Sequence, residues 1–281
     1  MRIGDYRIDR ELAVEETGVV YLGIHTVLPR QAAVKVMHAA AEAPRPGEER
    51  GRPVRVLREA VILESLSHPG IPRVFECGTL PDRRPWAAFE RLEGVTLASL
   101  ISGAPMAIAD LVVVLRDVGD LLAHTHARGV VHRRLTADAI VRTPDRTCSV
   151  AVIHWDDARM GTEGRLDPKA DPRDDVRALG VVALHALGGA VPEAGASTAD
   201  RDPGVPGELG ALIDQMLADD PASRPPSDEV RDRARWLADT FEPRVSDRLR
   251  WTPPLSVTAE SIPRSGPDDG GPPVRTGRRR H

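Results

Sequence analysis

The stretch that decides the fold is residues 129–139, which read GVVHRRLTADA. Just before it, apolar residues recur at intervals of three and four from Leu111 to Thr125, a spacing that predicts a core helix. Gly129 lies just past the end of this helix, where glycine commonly terminates helices. The polar residues His132 and Arg133 therefore follow closely on a helix that is expected to be buried.

The segments on the two sides of this stretch differ in character. Up to about residue 92 the pattern is typical of strands, with one amphipathic helix over residues 54–67, and from about residue 95 it becomes helical. Beyond Phe241 the composition changes: residues 243–281 hold seven of the 25 prolines, and eight arginines stand against four acidic residues. We predict three regions, residues 1–92, 93–242 and 243–281. The last is predicted to be a disordered basic tail, with an ordered partner-binding segment as the alternative.

The composition excludes several classes of protein. Hydrophobic residues make up 41% and charged residues 28% of the 281 residues, an ordinary globular balance. Two cysteines, Cys77 and Cys148, are too few for a disulfide framework, and the net charge of −4 gives no reason to expect nucleic-acid binding. The sequence shows no apolar leader and no stretch of about 18 apolar residues. We therefore expect a cytoplasmic protein without membrane association.

Seven short motifs occur in a fixed order along the chain. They are found within residues 11–21, 33–35, 57–60, 68–71, 129–133, 171–180 and 220–225. In this order and spacing the chain resembles the bacterial serine/threonine protein kinase family over about residues 4–240. The resemblance implies an α+β, two-lobed protein-kinase-like fold, with a β-rich N-lobe (1–92), a helical C-lobe (93–242) and a nucleotide cleft between them.

The resemblance gives two charged residues a role at the nucleotide. Lys35 matches the strand lysine that contacts the α- and β-phosphates, and Glu59 matches the helix glutamate that pairs with it. Only two of the 38 basic residues are lysines, so a lysine at this position indicates a specific need for a compact ammonium group. A purely structural ion pair between Lys35 and Glu59 is an equal alternative.

The base of a nucleotide would meet a second group of residues. Val20 and Ala33 match the residues that flank the adenine ring, although both are also ordinary core residues. Glu90, Arg91 and Leu92 match the hinge between the lobes, where backbone groups would meet adenine.

The chain departs strongly from the family pattern at the phosphate-binding loop. The six matching residues run from Ala13 to Gly18, and only Gly18 is kept of the three glycines that let backbone N–H groups approach phosphates. Glu15 and Glu16 add negative charge, and one like-charge pair at about 7 Å costs roughly 2 kcal/mol at an effective dielectric constant of about 20. We predict an ordinary hairpin whose two charges are solvated.

The catalytic loop keeps His132 and Arg133 and loses the residues that carry the chemistry. Arg134 stands where the family has the catalytic aspartate, and arginine stays charged and cannot accept a proton. Ala139 stands where the family has the metal-binding asparagine and offers no donor atom for Mg²⁺. Asp138 falls on a variable position and could replace the aspartate only if the loop shifted.

The metal-binding aspartate of the family is replaced as well. His154, followed by Trp155 and Asp156, takes its place, and a neutral imidazole is a poor ligand for Mg²⁺. A slip of the frame by two residues would instead make Asp156 or Asp157 the ligand. We predict no metal site, and we interpret His124 and His126, which could suggest a metal together with Cys148, as a solvated helix end.

The segment after this position is short. Asp175 follows His154 by only 21 positions, so the platform for a protein substrate is expected to be absent. Met160–Glu163 is interpreted as its remnant, and Glu163 is a candidate partner for Arg224.

The chain thus keeps the residues that stabilise the fold in this family and lacks those that carry its chemistry. The structural positions that match are Leu63, His132, Trp155, Asp175 and Arg224. The sequence predicts a pseudokinase, a catalytically inactive binding or scaffolding module that is able to hold ATP or ADP without Mg²⁺. Its expected partners are proteins, such as an active kinase or a phosphopeptide-reading domain, and Thr252, Thr258 and Thr276 of the tail are candidate phosphoacceptors. The alternatives are a divergent kinase with residual phosphotransfer and an interaction domain that binds no nucleotide.

Overall fold

The computed structural model of the chain describes residues 1–15, 17–38, 55–144, 146–161, 167, 170–188 and 204–241. Its first part is a six-stranded antiparallel sheet with the strand order β1-β2-β3-β4-β6-β5. The strands are β1 (Arg2–Ile3), β2 (Tyr6–Val14), β3 (Gly18–His25), β4 (Gln31–Met37), β5 (Val74–Thr79) and β6 (Pro85–Glu90). The prediction made for the tail, residues 243–281, lies outside the described residues.

Strand β4 shows why the sheet presents Lys35 to the rest of the molecule. Successive side chains of a strand point to opposite faces. Ala32, Val34 and Val36 are buried on one face, in a cluster with Tyr6 and Trp86. The alternate residues of β4, which include Lys35, therefore point to the other face, where the core of the helical part lies.

Helix α1 (Arg55–Ser65) packs on that second face of the sheet. Its apolar residues Val56, Ala60 and Leu63 recur at helical spacing and are all buried. Glu59 is buried with them because it lies three residues after Val56 and four before Leu63, on the same side of the helix. The helix predicted over residues 54–67 is thus confirmed, and it carries a buried carboxylate.

The second part of the molecule is mainly helical. Its helices are α2 (Leu97–Ile101), α3 (Ile108–His126), α4 (Pro172–Ala186), α5 (Gly207–Met216) and α6 (Ser227–Phe241). Short strands accompany them: β7 (Val95–Thr96), β9 (Ile140–Arg142) and β10 (Val150–Val152) form one small sheet, and β8 (Val130–Val131) pairs with β11 (Arg159–Met160). The predicted two-lobed α+β fold is confirmed.

Helix α3 is the centre of the helical part. Nine of its residues are buried, from Leu111 to Thr125, as the apolar spacing predicted. Gly119 lies on the side that faces α6, and a Cβ there would come within 3.0 Å of the backbone nitrogen of Arg231. The glycine therefore lets the two helices approach closely. None of the helices in the described part of the chain combines the length and the apolar character needed to cross a membrane.

Candidate functional site

A cavity of about 350 Å³ lies between the six-stranded sheet and the helical part. Apolar side chains form much of its wall, contributed by Leu12, Val20, Ala33 and Phe89 on one side and by Val141 and Ile153 on the other. The nucleotide candidates chosen from the sequence, Val20, Ala33, Lys35, Glu59, Glu90 and Leu92, also line this cavity. The sequence analysis missed Leu12, Phe89, Val141 and Ile153, since nothing but apolar character marked them.

Lys35 and Glu59 meet at one end of the cavity. The Nζ atom of Lys35 lies 3.3 Å from Oε2 of Glu59, and both side chains are buried. The other carboxylate oxygen of Glu59 accepts a hydrogen bond from the backbone N–H of Trp155 at 3.2 Å. The predicted pair is therefore formed, and it joins α1 to the segment that follows β10.

Glu15 corrects the prediction of a hairpin with solvated charges. Its Oε2 atom lies 3.0 Å from Nζ of Lys35, nearer than that of Glu59, and only 23% of its side chain is exposed. Burial by itself lowers the pKa of Lys35, but the charges of Glu59 and Glu15 outweigh it and raise the pKa above the usual range. Lys35 is therefore held as a cation between two carboxylates. Glu16 lies outside the described residues.

His154 lies at the same end of the cavity, directly after β10. Its backbone is in the left-handed region, with φ of 66°, and its Nδ1 atom is 3.7 Å from Oε1 of Glu15. Burial lowers the pKa of His154, against the opposing effect of the Glu15 charge. Trp155 is buried, which favours the frame in which His154, and not Asp156 or Asp157, matches the metal-binding aspartate.

Arg134 projects from the loop after β8 towards the next two residues of this segment. Its Nη1 atom lies 3.7 Å from Oδ2 of both Asp156 and Asp157. Asp156 is buried, so Arg134 is the cation that faces it from the loop. Asp138 is exposed on the following 3₁₀ turn, and Ala139 is buried. The loop has therefore not shifted Asp138 into the place of Arg134.

The side chains of this region do not suit Mg²⁺. A hard cation needs several oxygen ligands in near-octahedral geometry. Ala139 offers no donor, His154 offers an imidazole, and the carboxylates of Asp156 and Asp157 face Arg134. Over the described parts of the chain, no group of three or more His, Cys, Asp and Glu side chains is placed to hold a metal ion.

Asp175 of α4 holds the backbone of the same loop on the side that faces the helical part. The backbone N–H groups of His132 and Arg133 each donate to its carboxylate at 2.7 Å, and Arg133 has a positive φ of 68°. The imidazole of His126 also bonds this carboxylate, at 3.0 Å, and Ser227 on its other side. His126 is therefore not part of a solvated helix end, as the sequence suggested, but a buried link between α3, α4 and α6.

His132 and Trp155 form the apolar link between the loop and the segment after β10. Their rings meet edge to face, with centroids 4.5 Å apart. Nε2 of His132 lies 3.0 Å from the carbonyl oxygen of Ile153, and its Nδ1 accepts from the backbone N–H of Arg134 at 3.2 Å. Burial lowers the pKa of His132, so the ring is held neutral with one nitrogen donating and one accepting.

Arg224 fixes the start of α4. It is buried, donates to the carbonyl oxygens of Arg173, Ala218 and Asp219, and pairs with Asp174 at 3.2 Å. The predicted structural role of Arg224 agrees with these contacts. Its predicted partner Glu163 lies outside the described residues.

The hinge carries an ion pair that the sequence did not reveal. The carboxylate of Glu90 forms a short ion pair with Arg146 and accepts from the backbone N–H of Arg73 at 3.2 Å. Arg91 donates to Gln31 at 2.6 Å. The side chains of Glu90 and Arg91 thus pair with neighbouring residues at the hinge.

Comparisons with known proteins find relatives among bacterial serine/threonine protein kinases. No protein-family model matches the chain. Over 217 residues, 68% of this chain, it is 32% identical to the serine/threonine-protein kinase Pkn1 of Myxococcus xanthus, and over 252 residues, 78% of this chain, it is 30% identical to PknL of Mycobacterium tuberculosis. These matches span 30% of Pkn1 and 62% of PknL, less than two thirds of either relative.

A solved structure gives the same fold. The PknI kinase domain of Mycobacterium tuberculosis superposes with a TM-score of 0.67 at 24% sequence identity. The match covers 85% of this chain and 98% of that domain. The two-lobed architecture is therefore that of a protein kinase fold.

Proposed function

The chain has the protein kinase fold and its homologues are bacterial serine/threonine protein kinases, and from this premise we propose that it is a pseudokinase. In this proposal it transfers no phosphate and acts as a binding or scaffolding module in signalling. The observation that carries the proposal is the position of Arg134. A cation whose guanidinium faces Asp156 and Asp157 stands where a kinase needs a carboxylate to orient the attacking hydroxyl.

The surroundings of Arg134 support the same conclusion. A positioned general base contributes a factor of about 10²–10⁴ to a reaction rate, and arginine cannot supply it. Ala139 and His154 do not fit Mg²⁺, which neutralises the charge that develops on the phosphates in phosphoryl transfer. The proposal therefore rests on three positions that fail for different chemical reasons.

The retained contacts indicate what such a module would do. The network of Asp175, His132 and Trp155 holds the loop in a defined conformation, which a docking partner can recognise. We propose protein partners, an active kinase or a phosphopeptide-reading domain, and a cleft ligand that binds without Mg²⁺. ATP and ADP are the nucleotides implied by the fold, and the tail threonines Thr252, Thr258 and Thr276 are proposed as phosphoacceptors for a separate kinase.

Incubation with labelled ATP tests the proposal directly. The full chain is mixed with γ- or α-labelled ATP, with Mg²⁺ or Mn²⁺, and with a mixed serine and threonine peptide library. We expect label neither on the peptides nor on the chain. Label that appears and is lost in Asp157→Ala would instead establish the alternative, a divergent kinase that uses the aspartates after Trp155.

A further inference from the structure

The phosphate end of the cavity is already occupied by a carboxylate of the chain itself. Glu15 Oε2 lies 3.0 Å from Nζ of Lys35, and Glu59 Oε2 lies 3.3 Å from the same atom on the side of α1. The lysine that the family uses for phosphate thus has two anionic partners within the protein. A phosphate group would have to displace one of them.

The position of Glu15 is fixed by the backbone of its hairpin. Glu15 and Gly18 exchange two backbone hydrogen bonds, at 2.8 and 3.4 Å, which close the end of the hairpin formed by β2 and β3. The carbonyl oxygen of Thr17 accepts from the backbone N–H of His38 at 2.9 Å. Gly18 packs so closely on β4 that a Cβ would lie 2.3 Å from the carbonyl oxygen of Val36. The turn is therefore pinned to the strand that carries Lys35.

The charges around this end of the cavity disfavour a further anion. Among the described residues, four carboxylates, those of Glu15, Glu59, Asp156 and Asp157, outnumber the nearby cations Lys35, Arg134 and Arg58, the last of which donates to the carbonyl oxygen of Asp156. A polyphosphate would add several negative charges here, and the side chains present do not suit the Mg²⁺ that would normally offset them. The rest of the cavity imposes no such cost, since its opposite walls are apolar.

We propose that Glu15 is a specificity-determining residue that disfavours phosphates, so that the cleft binds an uncharged purine base or nucleoside in preference to the ATP or ADP that the fold implies. The inference rests on the proposed function, because it concerns the ligand of a cleft that performs no phosphoryl transfer. A cavity of about 350 Å³ agrees with a small ligand, since ligand pockets span roughly 300–1,000 Å³. Apolar walls on both sides suit the two faces of a flat heteroaromatic ring.

Calorimetric titration of the full chain with adenosine and with ADP, without divalent metal, tests the inference. We expect wild type to bind adenosine at least about tenfold more tightly than ADP. Glu15→Gln keeps the shape and removes the charge, and is expected to tighten ADP binding by about tenfold, which is 1.4 kcal/mol, with adenosine changed less than twofold. Glu15→Ala removes the side chain and is expected to act in the same direction.

The matched control is Glu11→Gln, which removes the same charge from an exposed position on β2 and should alter neither affinity. Equal affinities of wild type for adenosine and ADP, unchanged ADP binding in both Glu15 variants, or the absence of adenosine binding would each overturn the inference. Failure of the proposed function has a different signature, transfer of label from ATP by wild type. The two failures are therefore separable in one set of preparations.

Discussion

The two sides of the loop after β8 differ in what their contacts achieve. On the side that faces the helical part, Asp175 accepts hydrogen bonds from the backbone N–H groups of His132 and Arg133, and these two contacts fix the position of the backbone. On the side that faces the cavity, Arg134 projects towards Asp156 and Asp157. The conformation of this loop is therefore fixed by the hydrogen bonds to Asp175 on the side of the helical part, and not by the side chains that face the cavity.

The same division explains why the fold tolerates the replacements. A change of side chain on the cavity side alters charge and donor atoms, whereas a change at Asp175 leaves buried backbone groups without partners. Buried donors without partners cost about 1–3 kcal/mol each. The free energy of unfolding should therefore depend strongly on the side of the loop that is bonded to Asp175, and much less on the side that faces the cavity.

The largest effect is expected for Asp175→Ala. The substitution strands the backbone N–H groups of His132 and Arg133 and removes the partner of His126, so we expect a loss of about 4 kcal/mol in the free energy of unfolding. Urea denaturation measures it. Asp174→Ala is the control, because that side chain is 65% exposed and its pair with Arg224 should contribute less than about 1 kcal/mol. Equal losses in the two variants would contradict the comparison.

A smaller effect is expected at the cavity, from Lys35→Met. The change leaves Glu59 and Glu15 without their cation, and removing one partner of a buried ion pair costs about 3 kcal/mol. We expect Lys35→Met with Glu15→Gln to recover about 1 kcal/mol of this loss, since one stranded charge is then neutralised. Thermal and urea unfolding of wild type, Lys35→Met, Glu15→Gln and the double variant give the coupling free energy between the two side chains.

An unchanged stability of Lys35→Met would assign Lys35 a different role. If Lys35→Met leaves the stability unchanged, the lysine is not needed by its two carboxylates in the folded protein. Its charge would then be available to a ligand, and the division between a structural side and a cavity side would run through Lys35 itself.

The sequence predicted the parts of this picture that depend on local pattern. The burial of α1 and α3 follows from apolar spacing, and the pair of Lys35 with Glu59 follows from a motif whose two residues lie on predicted elements. In each case the residue and the element that positions it are close together in the chain.

The contacts that the sequence did not reveal join distant segments. The turn at Glu15 is pinned by a hydrogen bond from His38, and its inward carboxylate depends on that geometry, so charge alone suggested a solvated residue. His126 reaches Asp175 across 49 positions, and Arg146 reaches Glu90 across 56. Such partners become visible only when the packing of helices and strands is known.

The smallest expected effect is the loss of stability at low pH that is caused by protonation of His132. Burial holds the pKa of His132 below its ordinary value near 6.5, so the ring stays neutral in the folded chain while the unfolded chain gains a proton as the pH falls. Stability contributed by this group is complete above about pH 6.5 and declines below it, by at most about 1.4 kcal/mol per pH unit. Urea midpoints at pH 7.5 and 5.5 measure the decline.

His132→Gln should be less stable at pH 7.5 and yet show a shallower decline, whereas Asp138→Asn, an exposed change in the same loop, should keep the wild-type slope. An unchanged slope in His132→Gln would mean that the ring is protonated in the folded chain, and its acceptance of the Arg134 N–H could not then hold the cavity side of the loop.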